Sequence, residues 1–174
     1  MSGIIFFYVG VVLFTNGLAQ VCKFEARSIA VINLFVGGLT VFCNGIILFH
    51  SNASTPMDVF LGVATGFLFG FTYLYVAINS WYDLDGRPLG WFCFFVAINT
   101  IWIGAYLLDK GPDNVYIIAE AIFWWLWGIL WLMFWAQLVL NKLSSKLIGY
   151  VCILEGIVTC WIPGVLMLTG NWHS

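Results

Sequence analysis

The segment EAIFWWLWGILWLMFWAQ, residues 120–137, contains five tryptophans. It lies in an apolar run over 115–140, longer than the about 20 residues that a helix needs to cross a bilayer. Four of the tryptophans are spaced by three, four and four residues: Trp124, Trp127, Trp131 and Trp135. This spacing puts them on one helical face. Because tryptophan favours the headgroup region over the bilayer centre, the stripe is expected to face protein or a lumen. It either fills space between helices or forms the wall of a pore for something flat and polar.

The composition places the chain in a membrane. Of its 174 residues, 63% are hydrophobic and only 8% are charged, and a soluble domain of this size needs more polar surface than that. The apolar runs are continuous, whereas a transmembrane barrel shows alternating segments of about 10 residues. We therefore predict an all-α integral membrane protein, a bundle of six transmembrane helices that forms a single domain over 1–174. The N-terminal MSGIIFFYVG lacks a basic signal-peptide region and is expected to begin a retained span.

Six apolar segments are separated by short polar loops. We predict spans over 3–21, 28–49, 59–80, 88–108, 115–140 and 147–169. Five of the six basic residues fall in the first, third and fifth loops: Lys23, Arg27, Arg87, Lys142 and Lys146. The sixth, Lys110, lies in the fourth loop. Because basic residues favour cytoplasmic loops, the first, third and fifth loops are predicted to be cytoplasmic and both termini to lie outside.

The sequence contains no pattern that holds a cofactor or performs catalysis. Its five cysteines are scattered among apolar neighbours without a Cys-x-x-Cys pair, which argues against a metal site. There is no phosphate-binding loop and no nucleophile–base pair, so we expect no enzyme activity, no cofactor and no metal. A net charge of −2 gives no reason to expect nucleic acid binding. Membrane lipid and a neutral solute are the expected partners, and a passive pore is the function that remains.

Two carboxylates lie within or near predicted spans. Glu155 lies roughly 12 Å from the cytoplasmic end of the sixth span, at a depth where a charge is costly and usually faces the bundle interior or water. It either bonds to a neighbouring helix or accepts hydrogen bonds at the inner mouth of a pore, and we favour the second. Glu120 lies about one turn into the fifth span and can simply reach the membrane interface. On the third span, Phe71, Tyr75 and Asn79 are four residues apart and share a face.

Several stretches resemble the urea and amide channel family (UreI/AmiS), in collinear order over nearly the whole chain: YVGVVLFTNG, SIAVINLFVGG, LFGFTYLYVAIN, GWFCFFVAINT, LWGILWL and LEGIVTCWIP. The resemblance implies six helices per protomer, a pore within each protomer and a hexameric ring. It also implies passive permeation of urea or short amides across the bacterial cytoplasmic membrane, beside a urease or an amidase. Stacked aromatic faces would admit a flat solute through N–H···π contacts.

The resemblance also assigns residues to the pore. Its wall would consist of aromatic and aliphatic residues on the third and fifth spans: Phe71, Tyr75, Trp124, Trp127, Leu130 and Trp131. Facing them would be residues of the first two spans: Leu13, Asn16 and Val36. Glu155 would lie at the cytoplasmic side. No role is transferred to Glu120 or Ile122, because the segment before Trp124 matches the family pattern poorly.

Several functions stay open at this point. The chain is a urea channel, a short-chain amide (acetamide) channel partnered with an amidase, or a non-conducting membrane assembly subunit whose tryptophans only pack. A membrane enzyme is a weaker alternative. Acid-gated members of the family have a long, histidine-rich second loop, whereas HSNASTPMD here contains only His50. We therefore predict weak or absent gating by pH.

Overall fold

A computed structural model describes residues 2–173, and within this range the chain is helical with no β-strand. The first five spans are single helices: α1 Ser2–Cys22, α2 Ala26–His50, α3 Met57–Tyr82, α4 Arg87–Lys110 and α5 Val115–Leu138. Together with a sixth span, Ser145–Leu168, they are long and apolar enough to cross a membrane. The predicted six-helix membrane fold is confirmed. Helix ends differ from the predicted ends by at most two residues.

The sixth span is interrupted, which the hydropathy pattern did not predict. It consists of α6 Ser145–Glu155, a π-helical turn Gly156–Trp161 and α7 Ile162–Leu168. The wide turn comes just before Pro163, whose ring clashes with the carbonyl four residues earlier and which has no N–H to donate. Within the turn the Thr159 hydroxyl donates to the Glu155 carbonyl oxygen at 2.6 Å. Single π-helical turns of this kind are frequent at functional sites.

The helices close into a ring in chain order. Three pairs pack tightly along their length: α2 with α3, α4 with α5, and α1 with the sixth span. The pairs meet each other through fewer contacts, between α1 and α2, α3 and α4, and α5 and α6. Because tight packing is confined to the pairs, space remains where the three pairs meet inside the ring.

Glycine permits the close approach within the pairs. A Cβ added to Gly17 on α1 would lie 2.5 Å from the carbonyl oxygen of Gly149 on α6, so the two backbones touch directly. A Cβ added to Gly37 on α2 would lie 2.8 Å from the Leu74 nitrogen on α3. Small residues serve this purpose in membranes, where helix association depends on van der Waals packing and hydrogen bonds rather than on burial from water.

Candidate functional site

Two cavities lie inside the helix ring, one toward each membrane face. The inner chamber lies toward the loops predicted to be cytoplasmic and has a volume of about 50 Å³. On this measure a water molecule needs roughly 10–15 Å³, so the chamber has room for a few waters or one very small solute. Its wall is mainly aliphatic and aromatic, with polar groups from Asn16, Thr72 and Tyr73.

The outer vestibule is much wider and more polar than the inner chamber. It lies between the ends of helices that face the predicted outside and has a volume of about 730 Å³. Polar and charged side chains line it: Asn44, Asp58, Thr65, Tyr106, Lys110, Glu120 and Trp172. The vestibule can therefore accept a hydrated solute, whereas the inner chamber cannot hold one with its water shell.

Two aromatic side chains, Phe69 on α3 and Trp127 on α5, line both cavities, and we call this pair the aromatic septum. Their ring centroids are 5.0 Å apart and the ring planes are nearly perpendicular, at 89°. Phe69 also contacts Trp131 with centroids at 4.9 Å and Trp124 at 5.5 Å. One phenyl ring therefore packs among three indoles of α5, at the boundary between vestibule and chamber.

The Trp127 indole is held in place by the sixth span. Its Nε1–H donates to Thr159 Oγ1 at 2.7 Å, and both residues are buried. The Thr159 hydroxyl in turn donates to the Glu155 carbonyl oxygen within the π-helical turn. Buried indole N–H groups usually find such an acceptor, so the turn fixes the orientation of one septum ring.

Several residues predicted to line the pore do lie against the two cavities. Those at the inner chamber are Leu13, Asn16, Trp127, Leu130 and Trp131, and Trp124 and Trp127 line the vestibule. Asn16 is held by Asn33 of α2, since each amide nitrogen donates to the other's carbonyl oxygen, at 3.0 and 2.7 Å. Val36 is buried in α2 but lies at neither cavity.

The last tryptophan of the stripe has a different environment. Trp135 packs against α4, with centroids 5.8 Å from Trp91 and 4.9 Å from Phe94. Its Nε1 is buried and has no hydrogen-bond partner among residues 2–173. Trp135 therefore fits the packing alternative, whereas the other three stripe tryptophans border open space.

The structure places Phe71 and Tyr75 away from both cavities, whereas the resemblance to the family assigned them to the pore wall. Phe71 is 48% exposed on the outside of the bundle and stacks on Phe67 with centroids at 5.3 Å. Tyr75 is half-buried against Phe92 of α4. Phe69 and Tyr73 line the inner chamber instead. Both pairs are spaced by four residues in the stretch FGFTYLY, so spacing alone could not distinguish the inward pair from the outward one.

Glu155 is buried at the end of α6, with 6% of its surface exposed. Its Oε2 has no hydrogen-bond partner within the described residues, so the structure shows no bond from this oxygen to a neighbouring helix. Its side chain is not part of the wall of the inner chamber or of the outer vestibule. A buried acceptor without a partner calls for an explanation.

Sequence reasoning gave Glu120 no role, yet it lines the outer vestibule. Its Oε1 accepts a hydrogen bond from Trp172 Nε1 at 2.9 Å. These two residues are 52 positions apart in the sequence, and no local pattern links them. The one available signal was a carboxylate at a span end, which commonly reaches the membrane interface.

A ring of six helices that can span a membrane, with two internal cavities separated by aromatic side chains, defines a multi-pass membrane protein. The chain belongs to the AmiS/UreI transporter family. The sequence model of this family, described as "AmiS/UreI family transporter", matches residues 1–171.

Relatives and solved structures agree with this assignment. The chain is 39% identical to a Helicobacter pylori protein named "Acid-activated urea channel", covering 99% of this chain and 100% of that one. It is 35% identical to a Mycolicibacterium smegmatis "Putative amidate substrates transporter protein", covering 100% of this chain and 79% of that one. The crystal structure of the urea channel from Helicobacter pylori superposes with a TM-score of 0.90, at 39% identity over 99% of this chain and 100% of that one. The names of these relatives describe a channel and a transporter.

Proposed function

We propose that this protein is a passive channel for urea and short-chain amides across the bacterial cytoplasmic membrane. The observation that carries the proposal is the aromatic septum, which separates a wide polar vestibule from a narrow chamber inside one protomer. Residues 1–174 would act as one channel domain. A non-conducting assembly subunit would not need a polar vestibule that leads to an internal constriction.

The septum selects by shape and by hydration. Urea and acetamide are flat and neutral, and their N–H groups can contact the faces of Phe69 and Trp127 as they lose water. Such contacts are weak, and weak sites in series allow a solute to leave as readily as it arrives. An ion meets no compensating charge at the septum, so its dehydration remains costly.

Polar groups on the chamber side complete the pathway. Asn16 and Tyr73 offer hydrogen bonds to a solute that has crossed the septum. We assign Glu155 the role of an acceptor for solute N–H groups near the cytoplasmic mouth, supported by its buried Oε2 without a partner in residues 2–173. Because Glu155 is not part of the chamber wall, direct contact with a solute requires its side chain to move.

The relatives support both proposed solute classes. The Helicobacter pylori relative is named a urea channel and the Mycolicibacterium smegmatis relative an amidate transporter, so both solute classes belong to the proposal. We further propose a homohexamer with one pore per protomer, which supplies a cytoplasmic urease or amidase with substrate.

Solute uptake into proteoliposomes tests this proposal. Purified protein in lipid vesicles, without an ion gradient, should accelerate the uptake of urea and acetamide over protein-free vesicles. Uptake should increase with solute concentration without saturating in the millimolar range, because the sites are weak. Vesicles that contain folded protein but take up both solutes at the protein-free rate would instead identify a non-conducting subunit.

A further inference from the structure

Asn44 places an amide group in the wall of the outer vestibule. It lies on α2, near the end of the helix that is predicted to face outside, and only 2% of its surface is exposed. It nevertheless lines the vestibule. Its Nδ2 donates to the Thr40 carbonyl oxygen at 2.9 Å. Because a carbonyl oxygen can only accept, this bond fixes which end of the amide is the nitrogen and which is the oxygen.

The Oδ1 of Asn44 is an acceptor that the protein leaves free. No residue within 2–173 donates a hydrogen bond to it. Asn79 Oδ1 and Glu155 Oε2 also lack a partner, but these two atoms are sealed from open space, whereas Asn44 Oδ1 is not. A buried acceptor needs a partner, and the partner of Asn44 Oδ1 must come from the vestibule.

Gly66 on α3 leaves the amide of Asn44 uncovered. A Cβ added to Gly66 would lie 2.6 Å from both Oδ1 and Nδ2 of Asn44, so a side chain there would cover or displace both polar atoms. Gly62, about one turn nearer the predicted outside, also lines the vestibule. A Cβ added to Gly62 would meet no atom within 4 Å. The amide of Asn44 therefore depends on glycine at position 66 and not at position 62.

The amide lies just outside the aromatic septum. Phe69 of the septum follows Gly66 by three residues on α3, which is roughly 4.5 Å along the helix axis toward the inner chamber. Asn44, Gly66 and Phe69 all line the vestibule. A solute that loses its water at the septum therefore does so within about one helical turn of this amide.

We propose that Asn44 Oδ1, left uncovered by Gly66, binds solute N–H groups at the entrance to the septum and so favours solutes that carry such donors. The inference rests on the proposed function, in which urea and short amides cross the septum. A hydrogen bond to Oδ1 replaces a bond to water before the solute reaches the ring faces. Because both partners are neutral, the bond is weak enough to release the solute.

Urea uptake into proteoliposomes by two variants of Asn44 tests the role of the oxygen. Asn44→Leu keeps the branched shape but removes the acceptor, so uptake per folded protein should fall several-fold. Asn44→Asp keeps acceptor oxygens in the same place and should stay closer to the parent rate. A role in packing alone predicts the opposite order, because an ionised carboxylate cannot donate to the Thr40 carbonyl oxygen and is costly to bury. Midpoints of thermal unfolding in detergent measure that separate effect on stability.

Asn99→Leu on α4 is the matched control for Asn44→Leu. The Nδ2 of Asn99 likewise donates to a carbonyl oxygen four residues earlier, that of Phe95, at 2.8 Å. Asn99 lines neither the vestibule nor the inner chamber. The substitution therefore removes the same kind of helix bond away from the cavities, and urea uptake should stay at the parent rate.

The two glycines provide a second matched pair. Gly66→Ala should lower urea uptake several-fold, because the added methyl group covers or displaces the amide of Asn44. Gly62→Ala adds the same methyl group to the open space of the same vestibule and should keep the parent rate.

Failure of this inference and failure of the proposed function give different results. A parent protein that does not conduct urea contradicts the proposed function. A conducting parent whose rate is unchanged in Asn44→Leu and Gly66→Ala overturns the binding site. Slower uptake in Asn44→Asp than in Asn44→Leu overturns it as well. So do equal falls in Gly62→Ala and Gly66→Ala, because crowding of the vestibule would then limit uptake.

Discussion

Trp127 and Thr159 join the aromatic septum to the interrupted sixth span through one buried hydrogen bond of 2.7 Å. Thr159 can accept this bond because its own hydroxyl proton is donated to the Glu155 carbonyl oxygen. The π-helical turn thus provides a fixed acceptor for the septum ring. The orientation of a side chain that lines both cavities is therefore set by a backbone irregularity on another helix.

Replacement of Thr159 by valine should therefore affect both stability and selectivity. Valine has nearly the same shape but leaves the Trp127 N–H buried without an acceptor, which costs about 1–3 kcal/mol. We expect a lower midpoint of thermal unfolding in detergent and poorer discrimination of urea from bulkier isobutyramide. Thr40→Val is the matched control, since within residues 2–173 the buried Thr40 hydroxyl bonds only to the Val36 carbonyl oxygen. Equal discrimination in the two variants would disprove the orienting role.

Phe69 and Phe71 form a second matched pair. Phe69→Leu should widen the passage between vestibule and chamber and remove one π-face, so isobutyramide uptake should rise several-fold relative to urea uptake. Phe71→Leu changes a side chain on the outside of the bundle and should conduct like the parent. The ratio of the two uptake rates in proteoliposomes checks both expectations. If this uptake ratio changed in Phe71→Leu and not in Phe69→Leu, the pore would instead be lined by the α3 face that includes Phe71 and Tyr75.

Two tryptophans of the same stripe should behave differently. Trp131→Phe alters the wall of the inner chamber and should change urea uptake. Trp135→Phe should leave uptake unchanged and cost little stability, because the Trp135 N–H has no partner to lose in the described residues. Trp125→Phe, off the stripe, loses a bond from Nε1 to the Ile101 carbonyl oxygen. The Trp125→Phe substitution should therefore lower stability without changing urea uptake per folded protein. Similar urea uptake in all three variants would refute the assignment of Trp131 to the pore wall.

Glu155→Gln should fold and conduct urea more slowly than the parent. The amide keeps the size of the side chain and one acceptor oxygen but removes the charge and half of the acceptor capacity. Initial rates of urea uptake, normalised to folded protein, measure the effect. Glu25→Gln, in an exposed loop, serves as the control and should keep the parent rate. If Glu155→Gln conducts like the parent, the carboxyl is structural.

Urea uptake should differ little between external pH 5 and pH 7.5. Histidine is the side chain that ordinarily titrates in this range, and the chain has two. His50 is exposed at the end of α2. His173 is also exposed, and its ring packs edge-on against Tyr116. A switch needs a large difference in proton affinity between two states, which two peripheral histidines do not provide. A several-fold rise at pH 5 that is lost in a His50→Ala, His173→Ala double variant would overturn this expectation.

The six spans and the shared face of the α5 tryptophans were predictable from the sequence because their signals are local. Hydropathy over about 20 residues places a helix in the bilayer regardless of its neighbours, and helical period alone puts Trp124, Trp127 and Trp131 on one face. The resemblance to the UreI/AmiS family assigned Leu13 and Asn16 to the pore, and both line the inner chamber. Each of these inferences depends on residues close together in the chain or on a collinear pattern.

Only the tertiary structure decided which aromatic rings face the two cavities. Phe69 and Phe71 differ by two positions, and the packing of α3 against α2 turns the first inward and the second outward. Trp135 continues the stripe in sequence, yet α4 covers it. The contacts of Trp127 with Thr159 and of Glu120 with Trp172 join residues 32 and 52 positions apart. Such contacts form only when the helices pack into a ring. Neither the helical period nor the hydropathy of a local segment predicts that packing.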